Sequence, residues 1–307
     1  MNTSGRRVGQ WLLVLLAHSA WADETCATSL VQKKAQARFA ATKSVAEQSR
    51  QRTPWDLYDY VVAVQHKSGA YLIHKVWLFM FSVLGAGDAD MGTWIQPCYY
   101  DMCHQIEAPI KVLQDLCGPH TLELLQEAAA ERGKGLRIVG PVRNPTTMVA
   151  SAYCYHARGE EPLNRMFYPP GWPKVTVGSL PFADGLAFAA KVMAPMVKNM
   201  TEIFEAPHPN RFRFDYEKAA ASSEGFDKVA EEMVDFLFGG MISEDDRQQC
   251  LEAATWADLH RHPDSDEGHK NDAECETKAL QQFTSVVPAD LLAQYRDFQE
   301  RLGYPTV

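Results

Sequence analysis

Tyr60-Val-Val-Ala-Val64 followed by Gln65-His66-Lys67-Ser68-Gly69 is the stretch on which the fold turns. The first five residues are mostly β-branched or aromatic and read as a short buried strand. The apolar run from Leu72 to Leu84 reads as a helix. A strand that passes through a tight loop into a helix aims backbone N–H groups at one spot, where the helix dipole also favours an anion. Gly69 lets the backbone approach closely. Lys67 adds a mobile positive charge and Ser68 a hydroxyl donor. The full GxxxxGK(S/T) pattern is missing, so nucleotide kinases and GTPases fit badly, and a nucleotide-dependent phosphotransferase is the weaker enzymatic reading.

A second unit of the same kind lies downstream. A helix near Thr121 to Arg132 precedes the strand Leu136-Arg-Ile-Val-Gly-Pro-Val142, and Pro145 is well placed for the first turn of a helix reaching about His156. Arg143 therefore stands at a strand's carboxyl end, where open α/β sheets bind ligands. Ser151 follows eight residues later, about two helical turns, and rises on the same side. An arginine and a hydroxyl so placed grip one phosphate from two directions.

Further out, apolar residues recur at helical spacing through 181–206, where Pro195 is expected to bend the helix. Arg211-Phe-Arg-Phe214 reads as a third strand, followed by a helix over 224–238 capped by Ser222 or Ser223. Two more helices are expected near 244–257 and 288–302, and the charged stretch 260–277 reads as a loop over one edge. Strands alternating with helices imply an α/β fold with a central parallel sheet flanked by helices.

Taken together, these motifs resemble the sulfotransferase family. Its 5′-phosphosulfate loop, approximately PKSGTTW, is matched by His66-Lys67-Ser68-Gly69-Ala70-Tyr71-Leu72. Its 3′-phosphate motif, approximately RDPRDVxVSxYxxH, is matched by Arg143 through His156, with the arginine-to-serine spacing kept. Its later YEDL and FLG elements are similar to Phe212-Arg-Phe-Asp-Tyr216-Glu217 and Asp235-Phe-Leu-Phe-Gly239. The resemblance spans about residues 58 to 304 and implies a P-loop NTPase-like sulfotransferase fold. It implies PAPS as sulfuryl donor, PAP as product, a hydroxyl acceptor of unidentified class and no metal. Lys67 would stabilise the leaving phosphate. Ser68 and the Gly69 and Ala70 amides would hold the 5′-phosphate, while Arg143 and Ser151 would hold the 3′-phosphate.

The departures concern catalysis. Ala70, Tyr71 and Leu72 replace the family's Thr-Thr-Trp; Tyr71 either replaces a hydroxyl or stacks on the adenine. The family's late Arg-Lys-Gly loop has no clean match, and Lys270 in Glu267-Gly-His269-Lys270 stands in about the right place. A homologue that binds without catalysing therefore stays open. The acceptor's general base is unassigned between His120, which fits the family's spacing before the arginine, His104 and Glu107. Trp94, Tyr99 and Tyr100 are candidate walls of the acceptor site. Cys98, Cys103 and His104 lack the second ligand pair of a zinc site, and His260, His262 and His269 read as a solvated charged face.

Composition bounds the setting. The chain has 307 residues, a 46% hydrophobic fraction and a net charge of −9. Arg6 and Arg7, the run Trp11–Ala17 and Ala20-Trp-Ala22 have the layout of a cleaved signal peptide over 1–22. The uncharged stretch from 8 to 22 is shorter than the roughly 20 residues that span a bilayer, and a short signal anchor is the rival reading. An arm over 23–57 and a sulfotransferase domain over 58–307 follow. Loss of the leader leaves 28 basic against 39 acidic side chains, a poor balance for nucleic acid. The seven cysteines and the sequon Asn199-Met-Thr201 suit the secretory lumen (Golgi or ER) or a secreted protein. That lumen suggests carbohydrate as acceptor. One local disulfide is expected among Cys98, Cys103 and Cys117, the pairing being open. Oligomeric state is not legible.

Overall fold

Four strands pair in parallel in the order β2-β1-β3-β4: β1 (Tyr58–Val64), β2 (Ile110–Gln114), β3 (Gly135–Val142) and β4 (Arg211–Asp215). Tyr60 lies opposite Ile110 on one side and Arg137 on the other, and Ile138 lies opposite Arg211. The computed structural model describes residues 52–92, 107–114, 118–158, 177–263 and 272–307. They fall within one compact unit, Arg52–Val307. The leader, most of the arm, Cys26, Trp94, Cys98, Tyr99, Tyr100, Cys103, His104, Cys117, His269 and Lys270 lie outside the described residues.

Alternation along β1 builds two cores, because successive strand side chains point to opposite faces. Val61 and Ala63 join a cluster made with α2 (Pro119–Glu131), α3 (Pro145–Ala157), α4 (Phe182–Phe204), α8 (Ala273–Val286) and α9 (Ala289–Leu302). Tyr60, Val62 and Val64 join the opposite cluster with α1 (Ala70–Val83), α5 (Tyr216–Ala221), α6 (Ser223–Phe238) and α7 (Glu244–Ala254). The second core is aromatic at its centre. Trp77 and Phe81 lie with ring centroids 4.7 Å apart, and Phe81 meets Tyr60 at 5.1 Å and Phe238 at 5.2 Å. Each such ring removed from water contributes about 1.5–3 kcal/mol. The sheet's parallel α/β character is thus held by burial on both faces. Gly140 in β3 is required by close approach: an added Cβ would stand 2.2 Å from the Phe204 ring and 2.9 Å from the Ala63 carbonyl.

Local signals place the helix starts. Pro145 opens α3, and Asn144 caps it by accepting from the Thr146 amide at 3.1 Å. Ser222, one of the two serines expected, caps α6 through the Gly225 amide. α4 runs its full length with Pro195 inside it on an exposed face. Several elements differ from expectation. Neither β2 nor the short helix α5 was expected. α7 ends at Ala254 and passes into a 3-10 turn over Thr255–Ala257. The last part of the expected loop 260–277 is helical instead: the Asp272 carboxylate accepts from the Cys275 amide at 3.0 Å and caps α8.

A disulfide joins Cys154 of α3 to Cys275 of α8, 121 residues apart, and Cys250 is a buried free thiol. Asn199 of the sequon lies half-buried within α4, and the buried Thr201 hydroxyl donates to the Val197 carbonyl. Among the described residues no helix is long and apolar enough to cross a membrane.

Candidate anion-binding site

From β1 the chain passes directly into the His66–Gly69 loop and then α1. Lys67 holds φ at 60° and Gly69 at 119°, both in the left-handed region. The lysine's strain is about 1–2 kcal/mol and is sustained by the packing around it. Ser68 is wholly buried, and its hydroxyl donates to the Gln65 carbonyl at 2.7 Å, as its amide does at 3.1 Å. In this conformation Ser68 shapes the loop. Gly69 caps α1 with no side chain, so the helix N-terminus is presented bare. An alanine Cβ at Gly69 would stand 2.5 Å from the Tyr216 ring, which is why glycine is needed.

The β3–α3 unit faces this loop. Arg143 is only 7% exposed and donates through Nη1 to the Lys67 carbonyl at 3.1 Å, joining the two units directly. Its guanidinium lies 4.8 Å from the Tyr216 ring centre, so one tyrosine supports both Gly69 and Arg143. Behind them Glu217 accepts from the Asn144 amide at 2.7 Å and the Tyr304 hydroxyl at 2.8 Å. Gln299 donates to the Asn144 side chain at 3.1 Å. This network fixes the turn that presents Arg143.

The topology explains why the units meet. From β1 the chain moves to β2 on one side, and from β3 it moves to β4 on the other. α1 and α3 accordingly cover opposite faces. The carboxyl ends of β1 and β3 form the switch point where ligands of such sheets bind. A small concavity there is lined by Lys67, Ser151, Cys154, Tyr155, Arg158, Asp272 and Glu276. The Lys67 ammonium sits 3.7 Å over the Tyr155 ring, within cation–π range. Glu276 stands 3.5 Å from Arg143, and Asp272 stands 3.8 Å from Arg158. Three cations and two carboxylates thus share the cleft. Such a set can hold a phosphate once the carboxylates give way.

His66 and His156 add a titratable pair beside Lys67. Their rings stack with Nε2 atoms 3.0 Å apart. Desolvation, then His156 and Lys67, holds His66 well below the usual histidine range. Desolvation and then Lys67 lower His156 to about 4. The pair is neutral at pH 7, one ring donating to the other.

Of the expected site residues, the structure brings Lys67, Ser68, Gly69, Ala70, Arg143 and Ser151 together. Tyr71 is an exposed side chain at the first turn of α1. His120, with a 74% exposed side chain, opens α2 and lies 3.5 Å from Glu123. It is at the carboxyl edge of the sheet and outside the lining of the concavity. Glu107 precedes β2 and so belongs to the opposite, amino edge. His260 bonds the Ala220 carbonyl and His262 stacks on Trp256. Among the described residues no group of three or more metal-ligating side chains occurs. Tyr155, Arg158, Tyr216, Asp272 and Glu276 were not expected as parts of the site. Tyr216 was quotable from its motif, whereas the acidic pair depends on α8.

The fold is α/β, with a candidate anion-binding cleft at the switch of a parallel sheet. No family model matches the sequence, and no curated protein matches it. Among solved structures, mouse sulfotransferase SULT7A1 complexed with PAP is similar at 14% identity over 80% of this chain and 85% of that chain, with a TM-score of 0.43. Similarity of that degree carries no residue role across.

Proposed function

We propose that this protein transfers a sulfuryl group from PAPS to a hydroxyl acceptor, in the secretory lumen. One observation carries the reading: Lys67, Arg143 and Ser151 converge at the carboxyl ends of β1 and β3, on either side of the switch point. Two phosphates spaced as in PAPS need two cationic sites fixed relative to each other, and the bond from Arg143 to the Lys67 carbonyl fixes them. The bare N-terminus of α1 and the Lys67 ammonium face the 5′-phosphosulfate. Arg143 and Ser151 face the 3′-phosphate, which separates this donor from ATP.

In the transfer, the acceptor oxygen forms a bond to sulfur as the bond from sulfur to the phosphate oxygen breaks. Lys67 leaves the Tyr155 face and places its ammonium against the phosphate oxygen that gains charge. The acceptor's proton goes to a base, and His120 and His104 are the histidine candidates. Carbohydrate is the acceptor class that the proposed luminal setting suggests.

Calorimetric titration with PAP, with ATP and ADP as competitors, tests the donor site. Tight PAP binding that neither competitor reverses supports it, and equal binding of ATP points to a phosphotransferase. Turnover of PAPS against pooled glycans, tyrosine peptides and small alcohols tests catalysis. Lys67→Ala is expected to lower turnover by about 10²-fold or more. Full activity in a folded Lys67→Ala protein would remove the loop from the mechanism. A protein that binds PAP without turnover is the second reading, favoured by the carboxylate already paired with Arg143.

A further inference from the structure

Some ion pairs remote from the cleft are close, with Arg261 gripping Asp227 at 2.6 and 2.7 Å and Arg247 meeting Asp235 at 2.7 Å, while others such as Lys198–Glu202 stand at 3.6 Å. The two pairs inside the cleft stand off, Arg143–Glu276 at 3.5 Å and Arg158–Asp272 at 3.8 Å. Charge-assisted bonds of full strength close to about 2.7–2.9 Å, so the cleft pairs are loose. The Arg143 and Glu276 side chains are nonetheless well shielded, 8% and 16% exposed. Nor does Arg143 need Glu276 for its position. The Lys67 carbonyl and the Tyr216 ring already hold the guanidinium.

Glu276 is delivered to this place by its neighbour in sequence. Cys275 is bonded to Cys154 of α3, three residues after Ser151, and this ties the first turn of α8 to the helix that carries the anion site. Deeper in α8, Ala279 and Phe283 are wholly buried, so the helix stays docked if its first turn gives way. We propose that Glu276 is a built-in competitor for the anion bound by Arg143, held there by the Cys154–Cys275 bridge.

A carboxylate beside the guanidinium lowers the affinity for any phosphate that must displace it. It also raises the charge a ligand needs. A phosphate monoester, as a dianion, exchanges for one carboxylate with a net gain in attraction, whereas a monoanion exchanges like for like. Such competition presupposes that Arg143 grips a ligand phosphate, as proposed above.

The test is calorimetric titration of the full chain, and of Glu276→Gln, with PAP, ADP and inorganic phosphate. Removing the charge is expected to tighten PAP by about tenfold, the worth of one charged hydrogen bond. ADP, which lacks the 3′-phosphate, is expected to be unaffected. Unchanged or weaker PAP binding in Glu276→Gln would overturn the competition and make Glu276 a support for Arg143. If PAP bound neither protein while inorganic phosphate bound the variant more tightly, the competition would stand and the nucleotide assignment would fall. If neither PAP nor phosphate bound either protein, both would fall. The double variant Cys154→Ser/Cys275→Ser keeps the carboxylate and frees its tether. It is expected to tighten PAP in the same direction by less, and wild-type affinity in the folded double variant would refute the bridge's part.

Discussion

Replacing Gly69 with alanine tests the loop at its most constrained point. The backbone there has φ at 119°, a value that an L side chain rarely adopts. Strain of that kind costs about 1–2 kcal/mol. The added Cβ would also stand 2.5 Å from Tyr216 Cδ2, closer than real Cβ atoms come, and a tight 3.1 Å from Cε2. The ring cannot retreat freely, because Arg143 lies 4.8 Å from its centre and Gly69 is on the loop that Arg143 bonds. Overpacking of this order adds about 1–3 kcal/mol. Gly69→Ala should therefore lose about 2–5 kcal/mol of stability, the two contributions acting together. Gly133→Ala supplies the control, since φ there is 72° and nothing lies within 4 Å of the added carbon. Only the backbone contribution of about 1 kcal/mol applies to it. Urea unfolding of the three proteins with the disulfide intact reads the difference. A Gly69→Ala loss no larger than that of Gly133→Ala would refute the packing of loop, Tyr216 and Arg143.

Two further expectations concern a buried ion pair and the histidine beside Lys67. Lys111 is fully buried with its ammonium 3.4 Å from Asp59, a carboxylate that Arg132 and Lys134 also approach. Asp59→Asn should cost about 3–5 kcal/mol in urea unfolding by removing the carboxylate that the buried ammonium faces, and adding Lys111→Met should recover part of it. No recovery would show that the cation is solvated. His156 has its folded pKa lowered to about 4, by desolvation first and then Lys67, from an unfolded value of about 6.5. Its contribution is intact above pH 6.5 and is lost as pH falls toward 4, because the unfolded chain takes up the proton first. The loss reaches at most about 2 kcal/mol at pH 5. His156→Gln should flatten the fall in unfolding free energy between pH 7 and pH 5, and identical slopes would refute the desolvated pair.

What could be read from the sequence was whatever local pattern decides. β1 and β3 announce themselves as apolar, β-branched runs ending in Lys67 and Arg143, and those two ends are the site's frame. β2 stayed hidden because Lys111 interrupts its pattern, and the carboxylate that licenses a buried lysine there is Asp59, 52 residues earlier. α8 stayed hidden because its charged first turn continues the charged sequence before it, and only Ala279 and Phe283 are deeply buried along it. Asp272 was a readable cap. The Cys154–Cys275 bridge was not readable, since spacing does not choose among seven cysteines. The roles of Tyr155 and Tyr216 are set by ring positions across elements, and no local pattern carries them.

The elements that were hidden are also those that alter the reading of the cleft. From β1, β3 and their loops alone the site is a cluster of cations waiting for phosphate. With α8 in place the charges nearly balance, Glu276 facing Arg143 and Asp272 facing Arg158. For a chain whose net charge is −9, that balance matters. A bare triple cation in a half-buried cleft would be costly to desolvate and would attract any anion present. Pairing each arginine loosely lowers that cost, and it leaves Lys67 poised on the Tyr155 face. A ligand then binds by exchange, and the exchange favours the higher charge of a phosphate monoester. Discrimination and the stability of the cleft thus follow from the same two carboxylates. The helix that supplies them belongs to the site as fully as the two strand ends do.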